Sequence, residues 1–278
     1  MEWYLLDEKI KGWLAEDMPY GDVTSDPLFP DSHQCSGTFV AKEDGCVAGL
    51  MVAQRVFRVL SEDVVMTILV EEGSRVTKGT PIAKISGATR DVLKGERLAL
   101  NLMQRLSGIA TMTRKYADQL EGTNTRIVDT RKTTPGLREL EKYAVRMGGG
   151  YNHRFNLSDG VMLKDNHIEA AGNITNAVAT VRASLSHMIK IEVEVENLAQ
   201  FEEAMAAGAE VILLDNMSTE MMAKAVSMKR GDVVLEASGN ITIERLSEIA
   251  ATGVDIISSG ALTHSVKALD ISLDLHQA

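Results

Sequence analysis

The sequence predicts an α/β protein in two parts: about a hundred residues of mixed helix and strand, then a (β/α) barrel, complete or incomplete. Three observations carry this. Past residue 120, short apolar runs alternate with amphipathic helical patterns at intervals of roughly 20 to 30 residues, which marks βα units and a parallel sheet. Six such units occur and none has a GxGxxG turn, so a barrel fits better than a Rossmann sheet. The first hundred residues lack that rhythm. A chain of 278 residues, 45% hydrophobic, is long enough for one large core or two smaller ones.

In chain order, Leu6, Ile10, Trp13 and Leu14 share one face of a helix, and a turn-rich acidic loop follows over 16–22. Thr38–Ala41 reads as a strand. Val52, Val56, Phe57 and Leu60 return to helical spacing, and Val64–Val70 is β-branched. Gly73-Ser74-Arg75-Val76-Thr77-Lys78-Gly79, leading into the strand Pro81–Ile85, resembles half of a biotinyl or lipoyl carrier domain. A carrier lysine stands at a hairpin tip, whereas Lys84 sits inside the strand pattern, so a small packing sheet is the better reading. Residues 89–120 are helical, with Leu98, Met103, Leu106, Ile109 and Met112 on the apolar face and Gly108 as a potential interruption. The domain boundary is placed near residue 107.

The barrel runs are Ile127-Val128, Val161–Leu163, Ile189–Val195, Val211–Leu214, Val233–Leu235 and Val254–Ile257. In Lys190–Glu196 the alternation puts Ile191, Val193 and Val195 on one face and Glu192, Glu194 and Glu196 on the other. Parallel barrel strands are covered on both sides, so the glutamates are expected in the lumen, paired with Lys132 and Lys164.

The formal charge of -10 argues against nucleic acid or an anionic membrane as partner. Cys35 and Cys46 lack CxxC spacing and read as ordinary thiols. The chain starts without a basic n-region and has no run of 18 apolar residues, so a cytoplasmic protein is expected.

Functional residues in a barrel sit just past the strands. Those positions hold Asp129, Arg131 and Lys132; then Lys164, Asp165, Asn166 and His167; then Glu194 and Glu196; then Asp215 and Asn216; then Glu236, Ser238, Gly239 and Asn240; then Ser258, Ser259 and Gly260. Between Arg131 and His167 seven cations face four acids, a basic segment in an acidic chain. Arg138, Lys142 and Arg146 have helical spacing and read as a solvated face. Arg131, Lys132, His153, Arg154 and Lys164 lie in loops or at strand ends and suit a small polyanion, since Arg grips oxyanions with two N–H groups and Lys acts as a point charge. Gly148-Gly149-Gly150 permits unusual angles or close approach to a ligand. Ser238-Gly239-Asn240, read as opening the next helix, and Gly260 offer backbone N–H groups to phosphate, with His264 just beyond.

Asp129–Arg138, Glu141–Val145, Gly148–Arg154 and Lys164–His167 closely resemble the quinolinate phosphoribosyltransferase family. The likeness extends to Gly21–Thr24, Gly95–Arg97 through Asn101, Ser107–Thr111, Leu214–Asn216 and Glu236–Gly239, nearly the whole chain in order. It implies an N-terminal α/β sandwich over 1–107 and a C-terminal open, incomplete (β/α) barrel over 108–278, with a return of the last residues to the first domain left open. It implies a homodimer or a higher homo-oligomer, in which the sandwich of one subunit covers the barrel mouth of the other. The implied reaction, in de novo NAD synthesis, turns quinolinate and phosphoribosyl pyrophosphate, with Mg²⁺ and no organic cofactor, into nicotinate mononucleotide, pyrophosphate and CO₂.

By that resemblance Arg131, His153, Arg154 and Lys164 bind quinolinate, with Lys132 nearby and Arg97 reaching in from the partner subunit. Glu194 and Asp215 hold ribose hydroxyls and metal, directly or through water. Ser238, Gly239, Asn240, Gly260 and His264 lie near the phosphates. Lys132, Lys164, Glu194 and Asp215 form the implied catalytic group. A Schiff-base aldolase using Lys164 leaves the anion cluster without a task. Nicotinate transfer needs fewer cations, and a binding module leaves Glu194 and Asp215 unexplained.

Overall fold

The computed structural model describes residues 2–277, which group into two compact units. Among these, one unit takes residues 2–114, 139–149 and 265–277; the other takes 115–138 and 150–264. The first division therefore falls at Arg114, inside a helix that runs unbroken through residue 107.

The first unit opens with helix α1 (Trp3–Asp17), which buries Leu6, Ile10 and Leu14 at i, i+4 and i+8. Trp13 stays half-buried. After the short α2 (Ser25–Leu28) come strands β1 (Gln34–Ala41) and β2 (Gly45–Cys46), helix α3 (Leu50–Leu60), strands β3 (Val65–Ile68), β4 (Arg75–Val76) and β5 (Pro81–Ala88), and the long α4 (Thr89–Gln119). Gly108 does not interrupt α4: a side chain there would collide with the Lys267 carbonyl, so the glycine allows close packing. Helix α3 buries Val52, Ala53, Val56 and Phe57, and the Phe57 ring lies 6.2 Å from that of Phe39. Full burial of one such ring contributes about 1.5–3 kcal/mol. Glu72 caps α3 by accepting the backbone N–H groups of Gly49 and Met51, both at 2.9 Å.

The sheet of this unit is antiparallel, in the order β12-β1-β5-β3, where β12 (Ile271–Gln277) pairs with β1 from Ala41↔Ile271 to Cys35↔Gln277. Lys84 is an exposed mid-strand residue of β5, opposite Thr38 and Thr67.

The second unit is built on a parallel six-stranded sheet. Its strands are β6 (Arg126–Val128), β7 (Val161–Leu163), β8 (Ile191–Val195), β9 (Val211–Asp215), β10 (Val234–Ser238) and β11 (Ile256–Ser258). The order is β6-β11-β10-β9-β8-β7, so β6 and β7, adjacent among strands in sequence, lie at opposite ends of the ladder. The barrel is open at that point. Tyr151 continues the sheet past β6 by a single parallel bridge to Val128. The expected alternation in β8 holds: Ile191, Val193 and Val195 are fully buried. Glu192 is buried too, whereas Glu196 lies past the strand end and is exposed.

Helices follow the strands: α5 (Arg138–Met147), which past Arg138 belongs to the first unit, then α6 (Asp165–Ala171), α7 (Ile174–Arg182), α8 (Leu198–Ala206), α9 (Thr219–Met228), a 3-10 turn over Ile243–Arg245, α10 (Leu246–Ala251) and α11 (Ala261–His264). Asn173, Asn197 and Ser218 start α7, α8 and α9 by accepting a backbone N–H three residues on. Two expectations need correction. The face of α5 read as solvated is not: Lys142 is fully buried, Arg138 is half-buried, and only Arg146 is exposed. Gly239 and Asn240 do not open a helix, because the 3-10 turn begins at Ile243. No helix among the described residues is long and apolar enough to cross a membrane.

Candidate active site

Parallel register sets the strand ends in a row. Ser238 pairs with Asp215, Ser258 with Val128, and Glu194 with Leu213. These ends surround a cavity of about 890 Å³ lined by residues of the second unit alone. Arg131, Lys132, His153, Arg154, Lys164, Glu194, Asp215, Ser238, Gly239, Asn240, Gly260 and His264 all line it. Arg97 does not; it is exposed on α4, in the first unit.

The cation side is Arg131, Arg154 and Lys164. Arg154 donates through Nη1 to the Gly160 carbonyl at 2.7 Å, but its Nε is buried without a protein partner, as is Nε of Arg131. Burial, and then the charge of Arg131, lower the Arg154 pKa. Two guanidiniums held near each other and partly dehydrated suit an anion between them. Lys164 donates to Glu194 Oε2 at 2.8 Å, the pairing the alternation predicted. His167 Nδ1 accepts the Lys164 backbone N–H at 3.0 Å and so helps fix its place.

The loop from Thr130 to Arg138 carries Lys132. Thr130 Oγ1 accepts its N–H at 3.0 Å, and the Thr263 hydroxyl donates to its carbonyl at 2.8 Å. Arg138 ties the loop together, donating to Thr133 Oγ1 at 3.0 Å and to the Phe155 carbonyl at 3.1 Å. That is why it is not a solvated charge.

The carboxylate side is Glu194 and Asp215. Asn216 donates to Asp215 Oδ2 at 2.7 Å and accepts from Asn240 at 3.1 Å. Asn216 and Asn240 both take left-handed backbone angles, φ 52 and 47, which Asn tolerates best among non-glycine residues. Gly239, φ 86, lies so close to Asn216 that a Cβ would collide with its side chain. Of the glycines before Tyr151, Gly148 serves packing, since a Cβ there would meet the Ala110 carbonyl of α4 at 2.5 Å, and Gly149 takes a left-handed angle, φ 88.

Several residues that hold the site were placed at strand ends or in the lumen by the sequence, or passed over, but given no task in it. Asp129, fully buried at the end of β6, accepts the Asn152 side chain at 2.6 Å and the His153 N–H at 2.9 Å. The Arg126 guanidinium lies 5.0 Å from the centre of the Tyr151 ring. Glu192 and Glu236 are buried together beside His153 Nε2, at 3.1 and 3.6 Å. With His153 they are the one group of three, among the described residues, whose ligating atoms lie within 4.8 Å of one another. Burial, then the neighbouring Glu192, push the Glu236 carboxyl up from 4.5 to about 7.

A carboxyl raised in this way takes up its proton more readily in the folded than in the unfolded protein. Its contribution to stability is full below about pH 4.5 and is lost as pH rises through about 7. Glu236→Gln should therefore gain stability relative to wild type between pH 5 and pH 8, in ~pH-unit steps of urea unfolding. Parallel wild-type and variant profiles would refute the shift.

Fold and site together define a barrel enzyme for small anions: an open parallel α/β barrel with guanidiniums, an ammonium and carboxylates gathered at its strand ends. Comparison with known proteins narrows the class. Residues 22–107 match the family model for the quinolinate phosphoribosyl transferase N-terminal domain, and residues 109–274 match that for its C-terminal domain. The chain is 48% identical over 276 residues to the probable nicotinate-nucleotide pyrophosphorylase (carboxylating) of Synechocystis sp., covering 98% of this chain and 93% of that one. It is 47% identical over 270 residues to the Bacillus subtilis protein of the same description, covering 97% and 93%. The crystal structure of NadC from Streptococcus pyogenes superposes with a TM-score of 0.96 at 44% identity, over 100% of this chain and 99% of that one. The chain belongs to the quinolinate phosphoribosyl transferase family.

Proposed function

We propose that the protein transfers the phosphoribosyl group of phosphoribosyl pyrophosphate to quinolinate and decarboxylates the product, giving nicotinate mononucleotide, pyrophosphate and CO₂. One observation carries this reading for the site: the Arg131 and Arg154 guanidiniums, each with a buried Nε lacking a protein partner, face the same cavity as Lys164. Quinolinate has two adjacent carboxylates, and their charge offsets the repulsion between these cations.

The remaining lining residues fit the donor substrate. As pyrophosphate leaves the anomeric carbon the ribose becomes oxocarbenium-like, and the Glu194 and Asp215 carboxylates stabilise that positive charge and hold ribose hydroxyls. Gly239 and Gly260 let phosphate oxygens approach the backbone, with Ser238, Asn240, His264 and Lys132 around them. The quinolinate nitrogen forms the new bond to ribose. The ring nitrogen is then cationic, and its adjacent positive charge stabilises the electron pair left on the ring carbon when the 2-carboxylate departs as CO₂; that pair then takes up a proton. This stabilisation makes an organic cofactor unnecessary.

Glu194 and Asp215 each have one oxygen held by a neighbour, Glu194 Oε2 by Lys164 and Asp215 Oδ2 by Asn216. Hard carboxylate oxygens of this kind suit Mg²⁺, which keeps waters and prefers one or two carboxylates plus phosphates. Bound there, directly or through water, the ion would neutralise departing pyrophosphate. We place the reaction in the cytoplasm, since Cys35 and Cys46 are buried thiols that are not joined in a disulfide. The working form in this reading is a homodimer in which Arg97 serves the partner's cavity.

Incubation with quinolinate, phosphoribosyl pyrophosphate and Mg²⁺ should yield nicotinate mononucleotide, pyrophosphate and CO₂, followed by chromatography and labelled CO₂ release. Nicotinate in place of quinolinate should give no product. Turnover of nicotinate with none of quinolinate would overturn the assignment.

A further inference from the structure

We propose that Glu192 and Glu236 are a buried positioning pair that holds His153, and through it sets Arg154 against the substrate carboxylate. The inference rests on the reading of Arg154 as a quinolinate-binding residue, and it changes the role of His153 from substrate ligand to positioning residue.

The geometry around the ring carries it. His153 Nδ1 accepts the backbone N–H of Arg154 at 2.8 Å. A neutral imidazole has one donor and one acceptor nitrogen, so the proton sits on Nε2. Nε2 points at Glu192 Oε2, 3.1 Å away, and at Glu236 Oε2, 3.6 Å away. The backbone N–H of His153 is in turn held by Asp129 at 2.9 Å. Strands β8 and β10 and the residue just past β6 thus each supply one buried carboxylate to a single residue. Both ring nitrogens face protein atoms, so the substrate's charge falls to Arg131, Arg154 and Lys164.

Two carboxylates buried side by side are a poor choice for stability. Glu192 Oε1 and Glu236 Oε1 are both buried without a protein partner, which adds to that cost. Apolar residues of similar size would pack better there, so packing does not account for the pair. A metal ion does not account for it either. A histidine that ligates through Nε2 normally donates its other N–H to an acceptor. Here Nδ1 accepts, which leaves the proton on the nitrogen that a metal would need.

The test uses the full chain with Glu192→Leu and Glu192→Gln, since Glu192 does not line the cavity. Leucine keeps the volume and cannot accept the Nε2–H; glutamine can accept it. Glu192→Leu should raise KM for quinolinate at least about tenfold, with KM for phosphoribosyl pyrophosphate changed by less than about twofold and Tm not lowered. Glu192→Gln should stay within about threefold of wild type for both substrates. A leucine variant equal to wild type, or one that raises both KM values together, overturns the proposal.

The ring nitrogen signals of His153 in the substrate-free protein give an independent readout. Wild type and Glu192→Gln should show a neutral ring with the proton on Nε2, and Glu192→Leu should lose that single tautomer. A wild-type ring that carries its proton on Nδ1, or a ring signal displaced by stoichiometric Zn²⁺, overturns the clamp. If wild type fails to turn over quinolinate, the functional reading fails, and the ring signals still decide whether the clamp exists.

Discussion

Arg154→Ala is expected to lower kcat/KM for quinolinate by about 10²- to 10³-fold and to leave Tm within about 3 °C of wild type. The two expectations have one cause. In the substrate-free protein Arg154 is a liability: it is partly buried, its Nε has no protein partner, and Arg131 repels it. Removing it costs the fold one bond to the Gly160 carbonyl and the attraction of Glu192 and Asp159, and relieves the burial and the Arg131 repulsion that outweigh that attraction. In the proposed complex a quinolinate carboxylate would oppose the same guanidinium, and truncating one member of a buried charge pair costs roughly 2–5 kcal/mol. Steady-state kinetics and thermal unfolding measured together decide the matter. Near-wild-type turnover would remove Arg154 from the site. Loss of the folded protein would make it structural.

Much of the barrel was legible because parallel strands covered on both faces leave strong marks. The alternation over 190–196 told which residues point inward, and Lys164–Glu194 pair as that alternation requires. It did not tell where β8 stops. The strand ends at Val195, so Glu196, the third of the expected lumen carboxylates, is exposed. Helical spacing had the opposite weakness. Arg138, Lys142 and Arg146 do share a helix, but periodicity cannot say what that helix packs against. Lys142 is fully buried, and Arg138 is spent on Thr133 and the Phe155 carbonyl.

The cavity residues were legible for a different reason. Apart from His264, which ends α11, they sit at or soon after a strand or the Tyr151 bridge, and parallel register brings such positions to one end of the sheet whatever lies between them in sequence. What remained hidden were the groups that hold those residues. Asp129 and Asn152 are 23 positions apart and meet only because Tyr151 extends the sheet beside β6. Glu236 was read as a strand-end residue but given no task, since its partners, His153 and Glu192, come from two other parts of the chain. Glycine was ambiguous in the same sense. Gly239 is required by the Asn216 side chain at the cavity, whereas Gly148 is required by α4, and the letters alone do not distinguish the two.

Mixing two inactive variants, Arg97→Ala and Lys164→Ala, is expected to restore about a quarter of wild-type activity once subunits have exchanged. The figure follows from counting sites. Lys164 lines the cavity of its own chain, and Arg97 does not line it. If Arg97 serves the partner, a heterodimer has one site with both residues intact and one with neither. Random exchange makes about half of the dimers mixed, and each mixed dimer has one working site of two, so roughly 25% returns. If Arg97 instead serves its own chain, every site in every dimer lacks one residue and nothing returns. Differently tagged chains, purified in sequence, isolate the mixed dimer, whose activity should be about half that of wild type. An inactive mixed dimer of confirmed composition would remove Arg97 from the partner's site. A protein that stays monomeric at assay concentration while turning over quinolinate would remove the shared site altogether.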